Sequence, residues 1–393
     1  MLKVLGFWCK LHMVIIVGAG LVGAVLAIKL AQFGINVKLL EKNSFEKKSV
    51  NDGRTIAVTL GSKRFLASCG LWEALEPSSQ RINNIRVFEQ GSAWTLDYDH
   101  KDLGSDPMGY IIKFEHLRDA IYEAVQAQTL VELFANCTLQ TLLPGEVHTK
   151  EYGILKAPLV VGADGRQSWV RSQVNIRSRT KEYGHKALVA HFIHEKPHQA
   201  TAWEVFHSSG PFAMLPMTDT PDGNYQSGIV WCGSKDAPWE TLPTDQLESQ
   251  LENIFPFYGK VTLNSQRWTF PITSLTVDRV TAPHTVLVGD AAHALHPIAG
   301  QGVHLGWRDV ADIAQLLVEA KDLGQDLGSE LMLAKYSRMR KPDHKGLYLF
   351  TDGLTRLYGT DNSLVSFARQ TGLAAVGKIP FLKKILMKKA MGI

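Results

Sequence analysis

The sequence predicts an α/β fold: a Rossmann-like nucleotide-binding domain, a β-sheet lobe inserted into it, and helices at the C-terminal end. Three observations carry this expectation. Near the start, an apolar strand pattern runs straight into GAGLVG (Gly18, Ala19, Gly20, Leu21, Val22, Gly23) and on into an apolar helix pattern. Around residue 160 a second buried-strand pattern ends in Ala163, Asp164 and Gly165. Residues 286–309, VLVGDAAHALHPIAGQGVHLGWRD, pass from a strand through a proline- and glycine-rich turn into a further apolar helix. At 393 residues the chain exceeds the usual single-domain size, so an inserted lobe is the natural arrangement. Changes of texture divide it into a discontinuous nucleotide domain (residues 1–72, 100–180 and 281–345), a sheet domain (73–99 and 181–280) and a C-terminal helical region (346–393).

The first unit is the most specific. MVIIV, residues 13–17, is a continuous apolar run suited to a central parallel strand. The helix pattern AVLAIKLAQFG closes at Gly34, and INVKLLEK is a second strand ending at Glu41, 18 positions beyond Gly23. In such a turn Gly18 permits the tight bend, Gly20 lets a pyrophosphate approach the backbone, and Gly23 lets helix and strand pack closely. Glu41 can accept hydrogen bonds from a ribose diol. Strand, helix and acid together distinguish this from a helix merely softened by glycine.

Asp52, Gly53 and Arg54 then precede a short strand and a helix pattern over residues 62–70. Arg54 could pin a phosphate, face a ring, or simply be solvated. Residues 85–98 read as short strands, and FEHLRDAIYEAVQA, residues 114–127, as a helix with Arg118 on its polar side. The plain alternative for Arg118 is a surface pair with Glu115 or Asp119. LVVG before Asp164 is a buried strand, and its Asp-Gly ending is either turn chemistry or a second edge of the nucleotide domain meeting the cofactor. From residue 183 to about 280 strands alternate, interrupted by one helix over 244–255. Finally Gly289 and Asp290 end a strand, and the helix beginning near Gly302 presents unpaired amides and a positive dipole end. Such a terminus can hold negative charge, including charge that appears on a ring during reaction.

Composition narrows the classes. Hydrophobic residues make up 45% and charged residues 20%, with a net charge of +4, so neither disorder nor nucleic-acid coating is indicated. After Asp361 there is no acid, while Arg369, Lys378, Lys383, Lys384, Lys388 and Lys389 contribute +6, leaving about −2 for the rest. Phe381, Leu382, Ile385 and Leu386 alternate with those lysines at helical spacing; a membrane-facing helix and a packed terminal helix with solvated lysines are both open. The apolar run over residues 13–28 is short for a span and broken by glycines. Residues 1–12 read as an extension ahead of the domain, with Met13 an alternative start. Cys9, Cys69, Cys137 and Cys232 form no CxxC pair, so a reducing compartment and no disulfide framework are expected. Among His191, His194 and His198, residues three apart in an extended segment point to opposite faces, and no cysteine or paired carboxylate completes the set, so no metal site is assigned.

With these three segments in view, the chain resembles the FAD-dependent aromatic hydroxylases of the para-hydroxybenzoate hydroxylase type, and within them the ubiquinone-biosynthesis hydroxylases. Asp52, Arg54 and Ala57 match their D-x-R-x-x-A stretch, and Gly210, Pro211, Leu215 and Pro216 their G-P-x-x-x-L-P. The resemblance implies an FAD-binding Rossmann-like domain of the GR2 type, with Gly18, Gly20, Leu21, Val22, Gly23 and Glu41 around the ADP half. It further implies that Arg54 and Arg118 contact the cofactor, Asp164 the pyrophosphate-side loop and Asp290 the ribityl chain. Gly300, Gln301, Gly302 and Val303 would lie at the flavin pyrimidine edge, with His296, Pro297 and His304 beside it. Where these hydroxylases usually carry asparagine the chain has His304, which either replaces that donor or points away.

The implied activity is hydroxylation of an aromatic, polyprenylated phenol of ubiquinone biosynthesis through a flavin C4a-hydroperoxide. O2 is the co-substrate and NAD(P)H or another external donor supplies electrons. No protein nucleophile or general base is assigned. The implied setting is cytoplasmic, peripheral to the inner membrane or to a biosynthetic complex through the C-terminal tail. Two alternatives use a similar fold: an isoprenoid reductase, and a non-catalytic flavoprotein subunit.

Overall fold

Val14, Ile15 and Ile16 have no exposed surface, which is why their strand, Met13–Val17, reads as an unbroken apolar run and not an alternating one. The computed structural model describes residues 12–46, 52–90, 95–207, 210–296, 300–358 and 379–393. Met13–Val17 lies inside a six-stranded sheet ordered Thr281–Ala282, Thr285–Leu287, Leu159–Gly162, Met13–Val17, Asn36–Leu40, Val131–Phe134. All neighbours pair in parallel except Thr281–Ala282, which is antiparallel to Thr285–Leu287. The helix Gly23–Gln32 connects the first two strands and buries Ala24, Val25, Leu26, Ala27 and Ile28 in succession, as an enclosed crossover helix must. It stops at Gly34, whose φ of 70° suits glycine.

A second sheet has nine strands among the described residues. Its order is His293–Ala294, Trp268–Val277, Ser178–His194, Tyr225–Ser234, Gly210–Met217, Thr201–His207, Asn84–Glu89, Thr95–Asp99, with Val261–Leu263 pairing alongside Ser178–His194. One face carries an apolar core of Val205, Phe212, Met214, Ile229 and Trp231, closed by Leu247 and Leu251 of the helix Thr244–Ile254. The opposite face looks toward the nucleotide domain, where Ala202, Leu215 and Met217 join Leu60, Ile111 and Ala57 in one cluster. Trp268 is seated directly on Gly53: a Cβ there would stand 2.1 Å from the indole ring. That contact ties the Asp52–Arg54 turn to the sheet.

Several boundaries differ from the sequence reading, each for a local reason. Helix Leu60–Ser68 starts before residue 62 because Thr59 caps it, its hydroxyl accepting from Ser62 N at 3.3 Å. Strand Thr285–Leu287 stops short of Gly289, which with Asp290 and Ala291 forms a tight 3₁₀ turn. Within residues 73–99, Ser79–Ile82 pairs with Gly109–Lys113 in a small sheet that also holds Thr55–Thr59, and only the strands from Asn84 onward enter the nine-stranded sheet. The helix Glu330–Tyr358 runs unbroken through residues 345 and 346. The helix Pro380–Met391 packs Met387 and Met391 into the cluster with Leu60, Ile82 and Met108, and Lys383 pairs with Asp102 at 2.6 Å. Its other side leaves Phe381 76% exposed, with Lys384, Ile385, Lys388 and Lys389.

Candidate functional site

In an open parallel sheet, ligands collect at the carboxyl ends of the strands. Here those ends bring together Gly18, Glu41, Asp164 and Asp290. Gly18 has φ of 100°, and a Cβ on it would stand 2.5 Å from the Ala163 carbonyl, so the first and second of the three segments touch. Gly23 is equally constrained, with a Cβ falling 2.0 Å from Gly18 O. By contrast a Cβ on Gly20, Gly165 or Gly302 would meet nothing within 4 Å. These three glycines therefore border open space, not packed protein.

The polar groups around that space are partly committed. Glu41 Oε2 accepts from Ala19 N at 3.0 Å, and Oε1 from Asn43 N at 3.0 Å. Asp164 Oδ2 accepts from Val170 N at 3.0 Å, while Oδ1 is buried with no hydrogen bond. An acceptor in that state calls for a donor from elsewhere. Asp290 Oδ2 accepts from Arg166 Nε at 3.1 Å, a partner the sequence reading did not identify. Arg54 is held by Asp52 and lies over the Phe114 ring at 4.2 Å from its centroid. Arg118 binds Asp119 at 2.9 Å, the plain alternative for it, yet its side chain is only 12% exposed. Burial, then the Glu41 carboxylate, push the Tyr122 phenol up while Arg118 opposes them, so Glu41, Arg118 and Tyr122 form one neighbourhood.

The helix Gly302–Asp322 supplies the remaining wall. Trp307 Nε1 donates to Leu21 O at 3.0 Å, and Val22 packs against Gly289 and Gly306, where Cβ atoms would stand 3.1 and 2.7 Å away. The helix is thus clamped to the glycine turn. Gln301 is its N-cap, Val303 packs on the core, and a Cβ on Gly300, at φ of 61°, would stand 4.0 Å from Ala57 Cβ. His304 is buried: Nε2 donates to the Ala57 carbonyl at 2.8 Å and Nδ1 lies 2.8 Å from the Ser62 hydroxyl. Burial takes it down to about 4, so the ring is neutral, Nδ1 accepts from Ser62, and neither nitrogen is left to serve a ligand. His296, 1% exposed, meets Tyr183 edge-on at 4.9 Å, and burial takes it likewise to about 4. Pro297 lies outside the described residues.

A buried polar centre stands behind this wall. Asp309 has no exposed surface and accepts four hydrogen bonds: from Gly289 N at 3.0 Å, His293 Nε2 at 2.6 Å, Arg340 Nε at 2.7 Å and His344 Nε2 at 2.7 Å. His293, Asp309 and His344 are close enough to surround a metal ion, but Arg340 already brings positive charge to the same carboxylate. The only sequence signal was an acid between Trp307 and Val310 on a helix face that is otherwise apolar. The histidine trio of the sheet lobe is committed to other partners. His191 bonds Gly53 O, His194 bonds Ser227 and Lys196 O, and His198 bonds Met217 O.

A family model described as FAD binding domain matches residues 12–350. The ubiquinone hydroxylase UbiL of Rhodospirillum rubrum is 38% identical over 392 residues, covering 98% of this chain and 90% of that protein. The 3-demethoxyubiquinol 3-hydroxylase of Escherichia coli is 30% identical over 391 residues, covering 96% and 98%. Among solved structures, PqsL of P. aeruginosa in complex with 2-aminobenzoylacetate matches with a TM-score of 0.76 at 22% identity, covering 88% of this chain and 96% of that one. That last likeness concerns the fold.

Proposed function

The chain belongs to the FAD-dependent monooxygenase family and is a hydroxylase of ubiquinone biosynthesis, and from that premise we propose which residues serve the reaction and on what substrate. The substrate is a polyprenylated phenol; O2 is the second substrate, and NAD(P)H or another external donor supplies two electrons. Gly18, Gly20, Leu21, Val22, Gly23 and Glu41 hold the ADP half of FAD. Arg54 and Arg118 flank it, Asp164 receives a donor on the pyrophosphate side, and Asp290 binds the ribityl chain. Gly300, Gln301, Gly302 and Val303 border the pyrimidine edge, with His296 and Pro297 beside it, and His304 braces that loop from behind. The observation that supports this reading is the open border of Gly20, Gly165 and Gly302 beside the unsatisfied Asp164 oxygen.

FAD held by these residues would, once reduced by the donor, activate O2, one atom of which the ring would receive and the other leave as water. The protein's own part is positional and electrostatic: the first amides of Gly302–Asp322 would stabilise negative charge at the flavin edge. The test is a purified sample that is yellow with stoichiometric FAD and couples donor oxidation to oxygen incorporation into a prenylated phenol. A folded protein that stays colourless when offered FAD overturns the reading.

The C-terminal helix belongs to the same proposal. Its outer face sets Phe381 and Ile385 among Lys384, Lys388 and Lys389, which suits an anionic membrane surface where a polyprenyl chain resides. No helix among the described residues is long and apolar enough to cross a membrane, so the contact proposed is peripheral.

A further inference from the structure

Side chains of a strand alternate between faces, so register fixes what each one looks at. Glu204 stands on Thr201–His207, an interior strand, opposite Ala213 on one side and Val87 on the other, with Val230 one strand further on. Its neighbours Trp203 and Val205 belong to the aromatic core of the sheet. Glu204 therefore points the other way, toward the nucleotide domain, on the face of Ala202 and Leu215. At one end this face meets Ala57, which a Cβ built on Gly300 would approach to 4.0 Å; at the other, Val230 and Tyr183 share a cluster, and Tyr183 touches His296. The row thus spans the distance between two parts of the proposed flavin edge.

This row is not sealed. Val87, Glu204, Ala213, Leu215 and Val230 each keep partial accessibility although they sit on interior strands, whereas Val205, Phe212, Met214 and Ile229 on the other face keep none. Side chains of interior strands stay accessible only where they border a space. Into that space Glu204 brings a carboxyl that makes no hydrogen bond or ion pair among the described residues. A carboxyl there that gives up water to an entering ligand needs a hydrogen-bond partner from that ligand. Other titratable groups on this face are Glu89, Tyr98, Tyr183, His191 and Cys232, and none is bonded to Glu204.

We propose that Glu204 recognises the ring hydroxyl of the aromatic substrate and accepts its proton. The phenol O–H bond breaks, the proton passes to a Glu204 carboxylate oxygen, and the electron pair stays on the ring oxygen, enriching the ring for attack on the activated oxygen. The assignment rests on reading the chain as an aromatic hydroxylase. Burial pushes the Glu204 carboxyl up to about 8, so the carboxylate that takes the proton is the minor form at neutral pH and the major one above about pH 8. A phenol near 10 lies about 6 units above an ordinary glutamate, but only about 2 above this one, so the transfer is far less uphill.

The test uses the FAD-loaded enzyme with 2-prenylphenol and its methyl ether, 2-prenylanisole, as probes, following binding by the flavin spectrum and turnover by oxygen incorporation. The wild type should bind the phenol about tenfold more tightly than the ether, and Glu204→Ala should erase that preference while keeping its flavin. Glu204→Gln should lower kcat about 100-fold with KM changed little, and Glu204→Asp should recover part of it. A preference that persists in Glu204→Ala, or full turnover in Glu204→Gln, overturns the assignment and leaves the hydroxylase reading intact. A flavin-loaded wild type that oxygenates neither 2-prenylphenol nor longer prenylphenols overturns the hydroxylase reading first, and this assignment with it.

Discussion

His304 Nε2 donates to the carbonyl of Ala57 at 2.8 Å, joining the start of the Gly302 helix to a strand 247 residues earlier. The bond requires a ring buried in its neutral form. Its proton affinity is depressed to about 4 by burial, against about 6.5 in an unfolded chain. Between those values the unfolded state binds the extra proton, so stability is full above about pH 6.5 and falls toward pH 4, by roughly 3 kcal/mol from this group. His304→Asn should flatten that part of the profile in urea titrations at pH 5 and 7.5, without altering the visible spectrum of bound flavin. An unchanged pH profile counts against a buried neutral imidazole, and an altered spectrum against the bracing role.

Asp309 should be the most sensitive polar position in the wall. Burial pushes its carboxyl up, but His293 and His344 outweigh this and hold it well below the usual carboxylate range. Its contribution is therefore present at neutral pH and lost in acid, below the ordinary carboxylate range. Asp309→Asn removes the fully buried one of the three carboxylates around Arg340, Asp312 and Asp343 remaining, and leaves His293 and His344 against a neutral amide; it should cost about 2–3 kcal/mol. Pairing Asp309→Leu with Arg340→Met should recover much of this in thermal unfolding; a double variant no more stable than Asp309→Asn rejects the charge argument.

Two glycines of one turn should behave differently. Gly23→Ala places a methyl 2.0 Å from Gly18 O and should disrupt the turn and its packing, lowering stability by more than about 2 kcal/mol. Gly20→Ala meets no protein atom within 4 Å, so folding should be unaffected to within about 0.5 kcal/mol. FAD affinity of Gly20→Ala should nevertheless fall at least about tenfold, read by flavin retention on desalting, because a close approach is blocked. Retention equal to wild type argues that no pyrophosphate comes near Gly20.

The C-terminal helix separates anchoring from packing. Charge reversal at Lys384, Lys388 and Lys389 should abolish co-sedimentation with anionic vesicles at low salt and leave thermal stability unchanged, since all three are exposed. Met387→Ala should do the reverse, costing about 2–4 kcal/mol because that side chain is fully buried. Vesicle binding that survives charge reversal removes the electrostatic part of the membrane proposal. Excising the helix cannot make this distinction, because it would also uncover Leu60, Ile82 and Met108.

What could be read along the chain was whatever neighbours in sequence decide. The first strand, the Gly18–Gly23 turn, Glu41, the strand before Asp164 and the helix from Gly302 all follow from short-range pattern and glycine stereochemistry. What pattern could not supply was partnership across the fold. Ser62 and Ala57 hold His304, Arg166 holds Asp290, and the donors to Asp309 come from residues 289, 293, 340 and 344. Glu204 was hidden for another reason: alternation reveals that two faces exist but not which one borders the site, and only strand order decides that.

The pairing of Glu204 with both Val87 and Ala213 makes the Thr201–His207 strand intolerant of changes in length. One residue gained or lost within it would exchange the two faces, driving the carboxyl among Phe212, Met214 and Trp231 and swinging an indole toward the ligand. Related chains could thus vary the identity of side chains along this row, and with it the molecules they accept, while the residue count of the strand stays fixed.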